Sequence, residues 1–237
     1  MTRVVGLIGG FSWQTTAIYY HKINQHVNSK LGGIHSARLL INSIDYTDLA
    51  SLAGARDYAG MTRLLCKSGR DLKAANAEAL ALCANVAHKA ADALEKTTGL
   101  RVLHIVDSTA PEIVSRGIKK VGLLATRAVM EEEDFYVSRL QKKFGLEVVV
   151  PDGKFRSKAD RMIFEEMNKE EIPETVKSTW RSAYASLVKE HQVGGVILGC
   201  TELRLVFRPQ DLTAPTFETT TLHAKGISEW ALCGKID

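Results

Sequence analysis

The sequence predicts an α/β fold of two pseudo-symmetric lobes, each a mainly parallel sheet flanked by helices. Three observations predict it. Apolar runs of strand length alternate with helix-patterned stretches along the 237 residues, which is how βαβ units read. Most of these runs are apolar throughout, as strands covered on both faces are. And VVGLIGG near the start returns as KVGLLAT, Gly6 answering Gly122 at an offset of 122 − 6 = 116.

In chain order, strands are expected over residues 3–9 (RVVGLIG), 37–44 (ARLLINSI), 78–83 (EALALC), 101–106 (RVLHIV), 120–126 (KVGLLAT), 146–150 (LEVVV), 194–200 (GGVILGC) and 214–218 (APTFE). Helices lie between them. Over residues 12–31, Trp13, Ala17, Tyr20, Val27 and Leu31 recur three, four or seven apart and mark one apolar helix face. The acids of MEEED (130–134) sit in an early helical turn, where the macrodipole favours them. Pro173 fits a first helical turn, and Val176, Trp180, Ala183 and Leu187 follow on one face. The polar PDGKFRSKAD (151–160) reads as a loop. The first lobe is expected to comprise residues 1–108 plus 214–237, and the second 109–213.

Composition excludes several function classes. A hydrophobic share of 45% and a charged share of 24% are those of a globular protein. The net charge of +4 is mild, and no Lys/Arg cluster is interleaved with aromatics, so no nucleic-acid partner is expected. No segment has the roughly 20 apolar residues of a membrane span, so no membrane partner is expected either. VVGLIGGF reads as a first strand rather than a signal-peptide core. Cys66, Cys83, Cys200 and Cys233 form no CxxC pair and read as reduced thiols of a cytoplasmic protein.

Polar turns follow four of the strands: GGFSWQTT (9–16), CANVAH (83–88), ATRAV (125–129) and GCTEL (199–203). Each can present backbone N–H groups and hydroxyls at a helix N-terminus, an arrangement that binds carboxylates. A thiol there is biased toward thiolate. Cys200 is therefore a candidate base or nucleophile, set against a buried structural cysteine. His88 is a candidate ligand donor, set against a residue that caps or packs. The repeat extends to these turns, because LALCAN resembles VILGCT. At the same offset, 200 − 116 = 84, so the twin of Cys200 is Ala84 and not Cys83. Two such lobes facing each other would bring their strand ends to one cleft, and ligands of open α/β sheets bind beyond the carboxyl ends of strands. Other chemistries fit less well. GLIGG is not the GxGxxG of a dinucleotide site and runs into the bulky Phe11. GFSWQ lacks the closing glycine of a GxSxG elbow. No HExxH or Cys/His cluster suggests a metal.

The stretches GLIGGFSWQTTAIYYHKIN, GGIHSARLLINSIDY, CANVAHKAAD, VGLLATRAVMEEEDFY, VILGCTEL and FETTTLHA resemble the aspartate/glutamate/hydantoin racemase family. They are most similar to its aspartate racemase and broad-specificity amino-acid racemase branch. The resemblance runs from about residue 3 to residue 232. It implies two α/β lobes with the active site in the cleft between them, a homodimer, and racemisation of a small amino-acid or carboxylate substrate with no pyridoxal phosphate, other cofactor or metal. It implies one cysteine at each lobe's strand end, one thiolate removing the Cα proton and one thiol returning a proton from the opposite face. Hydrogen bonds to the carboxylate must stabilise the carbanion-like state, and thiols suit acid–base work near neutrality. The residues carried over are Cys200 as acid/base, with Phe11, Ser12, Asn85, Val86, Thr126, Thr201 and Glu202 around the substrate.

The sequence departs from the family pattern at the first thiol. The residue before Asn85 is Ala84, and Cys83 lies one step earlier. One step along an extended strand end turns a side chain to the opposite face. The family register and the internal offset thus both put Ala84 in the catalytic slot, with Cys83 as the other candidate for a second thiol. Val86 and Val129 stand where the family's usual threonines would offer hydroxyls to a carboxylate. Cys66 and Cys233 match nothing catalytic. The expected function is a cofactor-independent amino-acid racemase. The alternatives are a single-thiol lyase or decarboxylase on the same scaffold, a non-enzymatic carboxylate binder, and a catalytically impaired member, natural or engineered.

Overall fold

A computed structural model describes residues 2–55, 57–131, 133–167 and 171–233. The chain divides into two compact units, one of residues 1–108 and 220–237 and the other of residues 109–219. Residues 214–219, expected in the first lobe, thus belong to the second. Residues 1 and 234–237 lie outside the described residues, as do the side chains of the acids at 132–134 in MEEED.

The first unit is built on a parallel sheet of β1 (Val5–Gly9), β2 (Leu39–Ser43) and β3 (Ala79–Leu82), in the order β2-β1-β3. Its helices are α1 (Trp13–Leu31), α2 (Tyr46–Gly54), α3 (Tyr58–Ala74) and α4 (Ala91–Thr98). Alternation along β3 separates two buried clusters. Leu80 and Leu82 pack with Leu65, Leu72 and Leu94 of α3 and α4. Ala79 and Ala81 pack on the other face with Tyr19 and Ile23 of α1 and with Ala224 and Ile227. These last two belong to α10 (Thr219–Cys233), the final helix of the chain.

The second unit holds β4 (Lys120–Ala125), β5 (Glu147–Val149), β6 (Gly195–Gly199) and β7 (Thr216–Glu218), all parallel, in the order β5-β4-β6-β7. The pairing of β7 with β6 is what carries residues 214–219 into this unit. Helices α5 (Ile105–Ser115), α6 (Arg127–Glu131), α7 (Ser138–Phe144), α8 (Gly153–Arg161) and α9 (Glu174–Lys189) complete the fold. Pro173 is the N-cap residue of α9, with φ −56° and ψ 138°, and Val176, Trp180 and Leu187 are buried on one face of that helix. The repeat seen in the sequence reappears in register: Gly6 pairs with Leu80 in one sheet, and Gly122 with Val196 in the other.

Three expectations change. Of the face expected over residues 12–31, Trp13, Tyr20 and Leu31 are 71%, 53% and 44% exposed and Ala17 is exposed too, whereas Val27 is buried as expected; Tyr19 and Ile23 pack with the strands. Residues 101–106 form only one bridge, Val102 to Leu80, before the chain turns into α5. The N–H groups of Ile105 and Val106, which could have extended a ladder, are taken by His88 and His104. Residues 151–160 are not a loop: Asp152 accepts a hydrogen bond from Phe155 N at 2.8 Å as the N-cap of α8. Phe155 meets Trp180 edge-on at 4.9 Å, and that contact repays the helix for its polar composition.

Candidate active site

The turn after β1 is shaped by Gly10. Its φ of +94° is in the region that favours glycine, and a Cβ there would fall on the Ile44 carbonyl oxygen. Its N–H donates to Thr16 Oγ1 at 3.0 Å. Phe11 then packs against the α3-side cluster. Ser12 caps α1, its hydroxyl accepting from Thr15 N at 3.3 Å and donating to Gln14 at 2.8 Å.

The turn after β3 separates the two candidates for the first slot by burial. The Cys83 N–H continues the ladder to the Ile8 carbonyl at 3.0 Å. Its side chain is 1% exposed and lies in the cluster with Tyr19, Ile23 and Ala224. Burial pushes this thiol far above its ordinary range. Cys83 is therefore a core residue, which corrects its reading as a second thiol. Ala84, one step on, is partly exposed and packs against the opposite cluster. Asn85 is buried and Val86 partly exposed, at the start of a 3-10 turn over Val86–Ala90.

Beneath this turn lies a group of three buried histidines that the sequence reading did not assemble. His88 rings stand 4.6 Å from His104 and 5.3 Å from His223. Tyr19 Oη bonds to His223 Nδ1 at 2.8 Å, and His223 Nε2 donates to the Leu103 carbonyl at 2.6 Å. Burial, with His88 close by, lowers the His223 pKa to about 3. The three histidines lie in CANVAH, RVLHIV and FETTTLHA, and periodicity does not show that they meet.

In the second unit, Thr126 follows β4 and begins the turn into α6. It is 7% exposed, and its hydroxyl makes no hydrogen bond among the described residues. The Arg127 N–H beside it donates to Asp160 of α8 at 2.7 Å, which pins the turn. Val129 is fully buried, so a methyl there fills the core.

Cys200 ends β6 and starts a 3-10 turn over Thr201–Leu205. Its thiol is partly buried and donates to Glu202 Oε2 at 2.8 Å. Burial raises its pKa well above the usual thiol value, and the Glu202 charge adds to this. The N–H groups of Glu202 and Thr201 bond the sulfur and act in the opposite sense. Thr201 and Glu202 are both partly exposed. The segment beyond is clamped by Arg181 of α9, which donates to the Val206 carbonyl at 3.0 Å and pairs with Asp211 at 3.2 Å. Cys66 is buried, accepting from Thr97 at 3.6 Å, and Cys233 is exposed. Among the described residues no helix is long and apolar enough to cross a membrane.

Such an arrangement presents one thiol whose proton is held by burial and the Glu202 charge against the pull of two backbone donors, which corrects the expected bias toward thiolate. Comparison with known proteins shows the family. The Asp/Glu/Hydantoin racemase family model matches residues 8–227. A Yersinia pestis protein assigned to the Asp/Glu racemases is 42% identical over 97% of this chain and 99% of its own, with a TM-score of 0.89. An aspartate racemase homologue from Pyrococcus horikoshii OT3 is 30% identical over 98% of this chain and 100% of its own, with a TM-score of 0.79. The Picrophilus torridus aspartate racemase, at 18% identity, 97% and 94% coverage and a TM-score of 0.70, shares the fold. This chain belongs to the Asp/Glu/hydantoin racemase family.

Proposed function

We propose that this protein is a cofactor-independent amino-acid racemase in which Cys200 moves the proton at the substrate Cα. The observation that carries the proposal is the Cys200 thiol at the end of β6, bonded to Glu202 at 2.8 Å and to two backbone N–H groups. As thiolate, Cys200 takes the Cα proton of one enantiomer and leaves a carbanion, to which a water or another group near Ala84 gives a proton from the opposite face; in the reverse direction Cys200, as thiol, is the donor. The two backbone N–H groups favour the thiolate, and the Glu202 carboxylate holds the proton on sulfur when Cys200 acts as acid. In the second unit, Thr126 and Thr201 are assigned to the substrate, the buried Thr126 hydroxyl suiting a carboxylate oxygen. In the first, Phe11, Ser12, Asn85 and Val86 are assigned to it.

Ala84 favours a second reading. Its methyl moves no proton, and with Cys83 in the core the first unit offers no thiol at the end of β3. A one-sided reaction, in which Cys200 alone protonates a carbanion formed by carbon–carbon cleavage or elimination, suits that slot. A homodimer is also proposed, formed through the outward face of α1 and the segment that follows it. Trp13, Tyr20 and the fully exposed Ile34 are large apolar groups of the kind that mark association surfaces.

The test is Cα–H exchange in deuterated water with L- and D-aspartate, glutamate, alanine, leucine and phenylalanine. Exchange of both enantiomers, lost by about 100-fold or more in Cys200→Ser, supports the racemase. Exchange that is unaffected by Cys200→Ser refutes the role given to this thiol.

A further inference from the structure

We infer that His88 is a positioning residue for the Ala84–Asn85 peptide, acting through a single fixed tautomer. The Ile105 N–H donates to His88 Nε2 at 3.1 Å, so that nitrogen carries no proton. The proton of the neutral ring is then on Nδ1, which lies 2.9 Å from the Ala84 carbonyl oxygen. A carbonyl can only accept, so Nδ1–H donates to it. His88 is 1% exposed, and it links the turn after β3 to the start of α5.

The consequence follows from peptide planarity. The Ala84 carbonyl and the Asn85 N–H are antiparallel on one rigid plane. Holding the carbonyl toward His88 turns the Asn85 N–H away from the histidine group, and it sets the direction of the Ala84 side chain and the entry into the Val86 turn. The other two histidines hold His88 in place. His104 packs on its ring, and its Nδ1 accepts the Val106 N–H at 3.2 Å. His223 packs edge-on and ties α10 to Leu103.

The fold does not demand such a strut. The position 116 residues on is Arg204, which is exposed, and the turn after β6 is instead fixed by Arg181 from α9. The histidine strut is thus particular to the unit whose strand end carries Ala84.

Two variants separate the two bonds. His88→Asn keeps an N–H near the Nδ1 position for the Ala84 carbonyl. His88→Gln keeps an acceptor near Nε2 for Ile105 but abandons the carbonyl. The catalytic consequence rests on the racemase proposal, so turnover and structure are read separately. With the amino-acid panel above, His88→Asn is expected to stay within about 5-fold of the parent, and His88→Gln to lose about 30-fold or more in kcat with little change in KM, the scale of a misplaced site peptide. Equal losses in the two variants overturn the inference. Nitrogen-15 NMR of the imidazoles needs no turnover. Nδ1–H on His88, with amide exchange of residues 85–89 accelerated in His88→Gln but not in His88→Asn, supports the strut; Nε2–H, or equal protection in both, overturns it. A parent with no exchange on the panel counts against the racemase proposal, while the NMR arm still decides the strut.

Discussion

Ala84 and Cys200 hold the same place in their respective units. Each lies four residues beyond the partner of its sheet's strand glycine, Leu80 against Gly6 and Val196 against Gly122. Cys200 directly follows β6 and is the N-cap of the Thr201–Leu205 turn, whereas Ala84 lies between Cys83, after β3, and Asn85, the N-cap of the Val86–Ala90 turn. One carries a thiol and the other a methyl, so the chemistry of the two strand ends is unequal although their sheet registers correspond.

Restoring the thiol tests that inequality. Ala84→Cys is expected to raise Cα–H exchange of the less favoured enantiomer by at least about 10-fold, the low end of what a placed acid or base contributes. Cys83→Ser in the parent is expected to leave exchange within about 3-fold and to act on stability instead, since it buries a hydroxyl in an apolar cluster. Chiral chromatography and proton NMR in deuterated water read both. Dead Cys83→Ser at unchanged stability would sink the core assignment of Cys83.

Glu202 holds the Cys200 proton, so removing its charge makes the thiolate easier to form. Alkylation of Cys200 by iodoacetamide, followed by peptide mapping, is expected to need a pH above the ordinary thiol range in the parent. Glu202→Gln is expected to shift that profile to lower pH, because burial and the carboxylate charge are what raise this group. A shift to higher pH would mean that Glu202 stabilises the thiolate instead.

The buried His223 makes stability depend on pH. Its folded pKa is lowered to about 3 from 6.5, so between these values the unfolded chain binds more protons. Stability is then full above about pH 6.5 and falls as the pH drops toward 3, by on the order of a few kcal/mol over the window. The groups facing it are His88, Tyr19 and Asp107. Urea midpoints of the parent are expected to be flat from pH 8 to 7 and to decline below 6, with a shallower decline in His223→Gln. Identical slopes in the two proteins would remove His223 as the cause.

The outward apolar face of α1 predicts association. Trp13→Ser with Ile34→Ser is expected to shift the protein from dimer to monomer in sedimentation velocity without lowering its melting temperature, since both side chains are largely exposed in the single chain. A parent that is already monomeric at high concentration would end this proposal.

Local pattern was enough for the parallel sheets, the repeat and the opposite facing of Cys83 and Ala84. Apolar runs such as VGLIG and GVILG have no polar face to show solvent, so their burial on both sides is written in their composition. The offset of 116 residues was legible because Gly6 and Gly122 each leave room for a packed neighbour, Leu72 of α3 in one unit and Leu187 of α9 in the other. Cys83 and Ala84 could be assigned to opposite faces because side-chain alternation is local geometry.

Only the tertiary structure decided what depends on partners distant in the chain. Helix α1 carries apolar groups on two sides, and local periodicity does not say whether Tyr19 and Ile23 or Trp13 and Tyr20 meet the sheet. Helix α8 reads as polar until Phe155 finds Trp180. Residues 101–106 have strand composition, yet His88 and His104 claim the N–H groups that would have continued a ladder. The histidine group itself joins residues up to 204 positions apart, Tyr19 to His223. Alternation and helical period are short-range rules, whereas a buried donor is satisfied by whichever acceptor the fold brings within about 3 Å.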